Sequence, residues 1–373
     1  MALGVKGMLR RRDVLALSAA TLLVGREATA QEANTQSANT QSANTQSAGQ
    51  TPPAAGGEGW NDGLAHPIPY APRLGTRKER GLGLGGGGAY RASWMVGYFH
   101  GLKEKGVDLG TADIVVGTSA GSVVGAALTG GHLWRLSAEL DFLGRFPKLF
   151  AELIPTMVPN PSQLRARALS NGAKAADPAT IQSIGRAAMA ARNPAGPDAY
   201  PTTVKRLIGE DDWPSPKLHT TAVDCYTGER LVVSAGAGIA ADEACAASSS
   251  LPGSMGPTWL KNRLCMDGGI CQTSTHCDVI AGVKRALVIS LSDGGSEAVK
   301  VGLRTSGLPN TLQEEVKALE SQGTKTILKV AGLLPGVSSI DSVMDPKWIA
   351  PCLKNGYERA LADAEEMRAF WVS

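Results

Sequence analysis

A serine flanked by glycines, Gly117-Thr118-Ser119-Ala120-Gly121, follows the apolar run Ile114 to Val116 and precedes a stretch of small and apolar residues, Ala120 to Leu128. The pattern reads as a buried parallel strand, a tight reversal and a packed helix. A reversal this tight holds Ser119 in a strained backbone conformation that lifts its hydroxyl above the sheet. Gly117 and Gly121 are required because a side chain at either would collide with the neighbouring strand or helix. The helix N-terminus behind Ser119 offers free N–H groups to negative charge developing beside the hydroxyl. The arrangement is that of a nucleophile elbow.

A serine hydroxyl needs a base to become a nucleophile. Asp267, in Met266-Asp267-Gly268-Gly269, is one candidate that can take the proton directly. His276, nine residues later, is the other, and would give the order Ser, Asp, His of a hydrolase triad. The remaining histidines are worse placed: His66 lies in a low-complexity segment, His100 and His132 on helices that lead away from the elbow, and His219 in mid-strand. Upstream, Gly85-Gly86-Gly87-Gly88-Ala89-Tyr90-Arg91 follows a short strand. Gly83, Gly85 and Gly88 fit the spacing of a dinucleotide fingerprint, but no acidic residue ends a second strand at the required distance. A Walker loop is excluded because no Gly-Lys-Ser/Thr follows. The third reading is an oxyanion hole, with bare glycine N–H groups aimed at an acyl oxygen near Ser119, and it accounts for loop and elbow together.

The elements that must hold these residues follow from periodicity. Gly81 to Leu84 reads as a strand, and Trp94, Met95, Tyr98, Phe99 and Leu102 as the core face of a helix that ends at Lys105-Gly106. Residues 132–215 read as a helical insertion over the sheet, a cap that shapes an acyl groove or an edge that simply packs. Helices are expected there over 133–146, 179–192 and 203–208, with Asp177-Pro178 starting the middle one, and eight prolines between 155 and 216 break up the rest. The sheet resumes with a hairpin over 218–223 and 231–234, then a helix over 240–249, a strand over 264–266 and a buried strand over 285–291. A helix over 309–321, a strand over 326–331 and a helix from 345 onward complete the chain. Alternating strands and helices imply a parallel or mixed sheet covered on both faces.

Residues 1–30 carry Lys6, Arg10, Arg11 and Arg12, then an apolar stretch from Val14 to Val24, then Ala28-Thr29-Ala30. These are the three regions of an export signal, with a twin-arginine character, and the apolar stretch is too short to span a bilayer. Three repeats of Asn-Thr-Gln-Ser-Ala over 34–48, followed by prolines and glycines, make residues 31–75 an unfolded tether, which leaves 76–373 as the folded domain. Removing the first 30 residues takes five of 37 basic and two of 34 acidic residues, which leaves 32 of each. That balance gives no reason to expect nucleic acid as a partner. The six cysteines include no C-x-x-C pair and no zinc spacing, so buried free thiols are expected and no metal site.

Three ordered motifs, Gly-Gly-Gly-Gly-Ala-Tyr-Arg-Ala, Gly-Thr-Ser-Ala-Gly-Ser and Met-Asp-Gly-Gly-Ile, together resemble those of the patatin-like phospholipases. The likeness extends to Ala-Val-Asp-Cys-Tyr-Thr-Gly-Glu-Arg and Ala-Ser-Ser-Ser-Leu-Pro-Gly, and covers most of residues 79–373. It implies a three-layer α/β/α fold with a mostly parallel sheet, and a Ser-Asp dyad without histidine. On the matching positions Ser119 is the nucleophile, Asp267 of the Asp-Gly-Gly turn the base, and Gly86, Gly87 and Gly88 the oxyanion loop. The implied substrate is a lipid or other acyl ester, met at a membrane or micelle surface, with no metal or organic cofactor. The sequence departs from the family pattern where Tyr90 precedes Arg91 and Ala92 replaces a glycine, which suggests a loop one residue longer. Arg91 is expected to steady that loop or to meet a phosphate head group. A lipid-binding protein without catalysis on the same fold is the reading from another class.

Overall fold

The computed structural model describes residues 74–148, 159–191, 198–209, 212–273, 275–293, 311–337 and 343–372. The expected export signal, His66 and all but the last two residues of the expected tether lie outside them. Gly75 donates to the Ala281 carbonyl at 3.0 Å, so the packed domain takes in the end of that tether.

An eight-stranded sheet organises the described chain. Its centre is parallel: Arg80–Leu84 (β1) lies between Ile114–Gly117 (β2) and Arg285–Ser290 (β7), with Leu218–Asp224 (β3) beyond β2 and Lys325–Val330 (β8) beyond β7. β3 is longer than β2, and its upper half pairs antiparallel with Arg263–Asp267 (β6), so that Ala222 faces Asp267. Arg230–Ser234 (β4) pairs antiparallel with β3, and Thr258–Leu260 (β5) with β6. β5 is not among the expected strands, since three residues with an exposed Trp259 show no alternation long enough to register.

Alternation along the central strands sends side chains to opposite faces, and each face has its own core. Leu82, Leu84, Val115, Leu287 and Ile289 pack under Gly88–Glu104 (α1), Ala120–Thr129 (α2), Leu133–Arg145 (α3) and Ile349–Trp371 (α9). Ile114, Val116, Ala286 and Val288 pack under Leu312–Ser321 (α8) and the short helical turn Cys277–Ile280. This is the expected three-layer α/β/α arrangement with helices over both faces of a mostly parallel sheet. All six cysteines are buried free thiols.

The insertion does not act as one unit. Its first helix, α3, belongs to the main helical layer, because Leu136, Leu140 and Leu143 face the core beside α1 and α9. Pro161–Gly172 (α4), Pro178–Ala190 (α5) and Ala199–Ile208 (α6) follow. Asp177 caps α5 as expected, its side chain accepting from Thr180 N–H at 3.0 Å. α4 is not among the expected helices, because it starts at Pro161 in a proline-rich stretch; in the structure Asn160 and Gln163 form a capping box around that first-turn proline. Ala241–Ser248 (α7) leads from the β4 side of the sheet back to the elbow.

Candidate active site

β2 ends at Gly117 and α2 begins at Ala120, which leaves Thr118 and Ser119 to reverse the chain. Ser119 takes φ 52° and ψ −123°, a conformation that a side chain rarely adopts and that the surrounding packing must hold. The close approach is evident on both sides. A Cβ on Gly117 would overlap the Gly121 carbonyl, and a Cβ on Gly121 would overlap the Leu84 carbonyl. Ser119 N–H donates to Ser248 Oγ at 2.9 Å, and Thr118 and Thr221 hydroxyls meet at 2.7 Å, which ties the turn to α7 and β3.

Asp267 closes β6 just above the end of β2, and this brings its carboxylate within hydrogen-bonding range of the Ser119 hydroxyl. Gly269 N–H donates to Asp267 Oδ1 at 2.7 Å, and the Asp267 and Gly268 N–H groups donate to the Ser250 and Ser248 carbonyls at 3.0 and 3.3 Å. Gly268 is required here, since a Cβ would strike Thr221. Asp267 is buried and no cation among the described residues faces it, so loss of solvation pushes its carboxyl up to about 6, while the Gly269 N–H and the Ser119 hydroxyl act in the opposite sense. The C-terminal end of α7 and the turn after it, Ala247 to Ser250, therefore hold both members of the pair. Ser248 and Ser250 had no assigned role in the sequence, because their contacts are mostly made by backbone atoms and depend on where α7 ends.

The glycine loop lies on the other side of Ser119. A Cβ on Gly86 would sit 3.0 Å from Ser119 Cβ and 3.5 Å from its hydroxyl oxygen. Gly87 has φ 147° and caps α1, and Gly88, at φ 61°, opens it. The N–H groups of Gly86, Gly87 and Gly88 have no hydrogen-bond partner among the described residues, whereas Gly85 N–H is spent on Ile289 O at 3.2 Å. Three free donors at the positive end of a 17-residue helix, beside a serine hydroxyl, suit a developing oxyanion.

α1 starts at Gly88, so Tyr90 and Arg91 belong to its first turn. Tyr90 Oη accepts from Leu334 N–H at 2.7 Å. Arg91 is buried beneath the loop, where its guanidinium donates to the Gly86 carbonyl at 3.0 Å and to the Ile289 carbonyl. It thus steadies the loop. The head-group contact is not available to it, because the same bonds turn the guanidinium inward, and burial lowers its pKa to about 9.

Both ring nitrogens of His276 are engaged away from Ser119. It is fully buried, its Nε2 lies 3.1 Å from the Gly268 carbonyl and its Nδ1 2.6 Å from Thr273 Oγ1. Burial first, and the nearby Arg230 second, lower its pKa to about 3. Nine residues after Asp267 the chain has turned behind the Asp-Gly-Gly turn, and the imidazole braces that turn rather than facing Ser119. His100 pairs with Glu104 on an exposed helix face, and His219 is buried in β3. No group of three or more metal-ligating side chains occurs among the described residues. One further residue reaches the site: Tyr200, from the first turn of α6, bonds the Ser249 side chain and lies close enough to Asp267 to feel its charge.

A family model described as patatin-like phospholipase matches residues 82–275, just over half of the chain. No curated protein matches. Among solved structures the chain is similar to VipD from Legionella pneumophila, at 13% identity and a TM-score of 0.37, over 78% of this chain and 67% of that one. It is also similar to the type III effector protein ExoU, at 17% identity and a TM-score of 0.30, over 77% of this chain and 54% of that one.

Proposed function

The chain belongs to the patatin-like phospholipase family, a family of lipid hydrolases, and on that premise we propose that it cleaves carboxylic esters of lipids with Ser119 as nucleophile and Asp267 as base. The observation that carries the reading is the meeting of the Ser119 hydroxyl with a buried carboxylate whose affinity for a proton is raised. Asp267 is ionised at neutral pH yet basic enough to accept the serine proton as Ser119 Oγ bonds to the acyl carbon. The carbonyl oxygen becomes an oxyanion, stabilised by the N–H groups of Gly86, Gly87 and Gly88. As the tetrahedral intermediate collapses, the C–O bond to the alcohol breaks and Asp267 returns the proton to the departing oxygen. Water then attacks the acyl-enzyme, giving its proton to Asp267, and the fatty acid leaves as Ser119 is regenerated.

No step in this scheme calls on an imidazole or a metal ion. The charged and apolar start of the chain supports export before function, and sequencing of the mature protein's N-terminus near residue 31 tests that part. The activity itself is tested by turnover of p-nitrophenyl esters over a range of acyl lengths, with Ser119→Ala alongside. Turnover lost in Ser119→Ala supports the hydrolase. Absence of turnover in a folded parent protein, on soluble esters and on phospholipid vesicles alike, favours the lipid-binding reading without catalysis.

A further inference from the structure

Ser119 lies at the C-terminal end of the parallel strands, and the topology decides what else is displayed there. α2 descends from Ser119, and α3 climbs back, so its last turn meets the start of α9, with Gly144 packed against Ile349 and Ala350. Phe142 and Phe146 stand on the outer side of that turn, 39% and 51% exposed, with ring centroids 5.0 Å apart. Exposed Lys148 follows them. On the other flank α5 stands over the end of β3, with Gly185 against the Cys225 carbonyl, and α4 is held beside it where Arg167 donates to the Gly253 carbonyl at 3.0 Å.

Between α4 and α5 runs an open groove of about 540 Å³, with Leu169, Ala187 and Ala190 in its lining and Arg165 and Arg186 beside them. Leu164 and Leu169 are 53% and 39% exposed. Arg165 and Arg186 are exposed cations with no side-chain partner among the described residues. Exposed apolar side chains thus stand beside exposed cations on both flanks of the C-terminal end of the sheet.

We propose that this end of the domain docks on an anionic lipid bilayer, with Phe142, Phe146, Leu164 and Leu169 entering the acyl boundary and Lys148, Arg165 and Arg186 meeting head-group phosphates. Rings and aliphatic side chains gain by leaving water, while cations at the same level gain from the negative surface potential. The choice of a bilayer as partner rests on the lipid-hydrolase reading. The pairing of apolar and cationic groups also explains how a chain with nearly balanced charge is drawn to an acidic surface: the attraction is local.

The test uses the full chain carrying Ser119→Ala, so that vesicles stay intact, sedimented with phosphatidylcholine vesicles with and without phosphatidylglycerol. The parent is expected to bind the phosphatidylglycerol vesicles, more weakly as salt is raised. Phe142→Ser with Phe146→Ser is expected to weaken binding about tenfold on both vesicle types. Arg165→Ser with Arg186→Ser is expected to weaken it about thirtyfold on phosphatidylglycerol vesicles alone. All four positions are exposed, and unchanged thermal melting establishes that the variants fold. Failure of the parent to bind, or binding that neither pair weakens, overturns the proposal. So does loss of concentration-dependent self-association in the Phe pair without loss of vesicle binding, which would assign the surface to a second copy. Ser119-dependent hydrolysis of soluble esters without vesicle binding defeats this inference and leaves the hydrolase standing. Vesicle binding without any such hydrolysis does the reverse.

Discussion

At the residue scale the proposed catalytic pair rests on one buried carboxylate. Its free-chain value of 3.8 rises to about 6 in the fold, so kcat/KM should climb with pH through about 6 and then level off, as a pH–rate profile on a soluble ester will show. The same shift acts on stability, in the opposite sense to that of a carboxylate in an ion pair. Between about pH 4 and pH 6 the folded chain holds more protons than the unfolded one. The contribution is therefore full below pH 4 and is lost as pH rises through the folded pKa. Asp267→Asn removes that dependence, and urea denaturation should find the variant about 3 kcal/mol more stable than the parent at pH 8 but equal to it at pH 4. In turnover Asp267→Asn and Ser119→Ala should each lose about a thousandfold or more, and the double variant scarcely more, because the pair acts as a unit. His276→Ala should destabilise the protein by about 2–3 kcal/mol, since it leaves a cavity and an unpaired Gly268 carbonyl, while the inflection of the pH–rate profile stays near 6. A triad would instead lose that inflection.

At the scale of elements, the site is a junction of three chain reversals held by close backbone contact. Gly121→Ala forces a methyl group into the Leu84 carbonyl where β1, β2 and α2 meet, and should cost at least about 3 kcal/mol or prevent folding, as measured by circular dichroism and melting. Gly86→Ala differs in kind. Its Cβ meets only Ser119 at 3.0 Å, so the fold should survive with little change in melting while kcat falls about a hundredfold. Arg91 supports the same loop from beneath. Its replacement by Met fills similar volume but removes the guanidinium's bonds to the Gly86 and Ile289 carbonyls, and should lower kcat more than it raises KM, because the loop donors serve the transition state. These elements were mostly legible beforehand, since strand β2, helix α2 and helix α1 each carry an unbroken period. α4 and β5 were not, because one begins in a proline-rich stretch and the other is too short to show a period.

At the scale of the whole molecule, the helical layer on the α1 face depends on α9, which closes the chain. Gly97 admits the Leu353 carbonyl, Gly356 admits the Trp94 carbonyl, and Gly101 lies against Tyr357 and Ala360, so α1 and α9 pack backbone to backbone. Trp94 Nε1 donates to Asn355 at 2.9 Å, and Trp371 Nε1 to the Asp108 carbonyl at 3.1 Å. Lys329 of β8, itself buried, reaches Asp363 at 3.0 Å. A chain cut after residue 348 should therefore fail to fold rather than lose activity selectively, which limited proteolysis and far-ultraviolet circular dichroism will distinguish. The contact also bears on the site, since Met344, just ahead of α9, packs against Gly88 at the mouth of the oxyanion loop.

The sequence by itself determined the elbow, the glycine loop and the Asp-Gly-Gly turn, because each is a local backbone demand: a reversal too tight for side chains leaves glycines at fixed spacing around the functional residue. It also determined the layered sheet, since period and turn residues are properties of short segments. It put Asp267 ahead of His276, but it did not contain the geometry that separates them. The two are nine residues apart, and only the pairing of β6 with the upper half of β3 aims the carboxylate at Ser119 while the chain beyond it turns the imidazole behind. The same holds for Arg91, whose charge suggested an anion until the fold buried it under a carbonyl, and for Ser248, whose hydroxyl meets the elbow from 129 residues away. Spacing constrains what is near in the chain, and three-dimensional packing alone decides what is near across it.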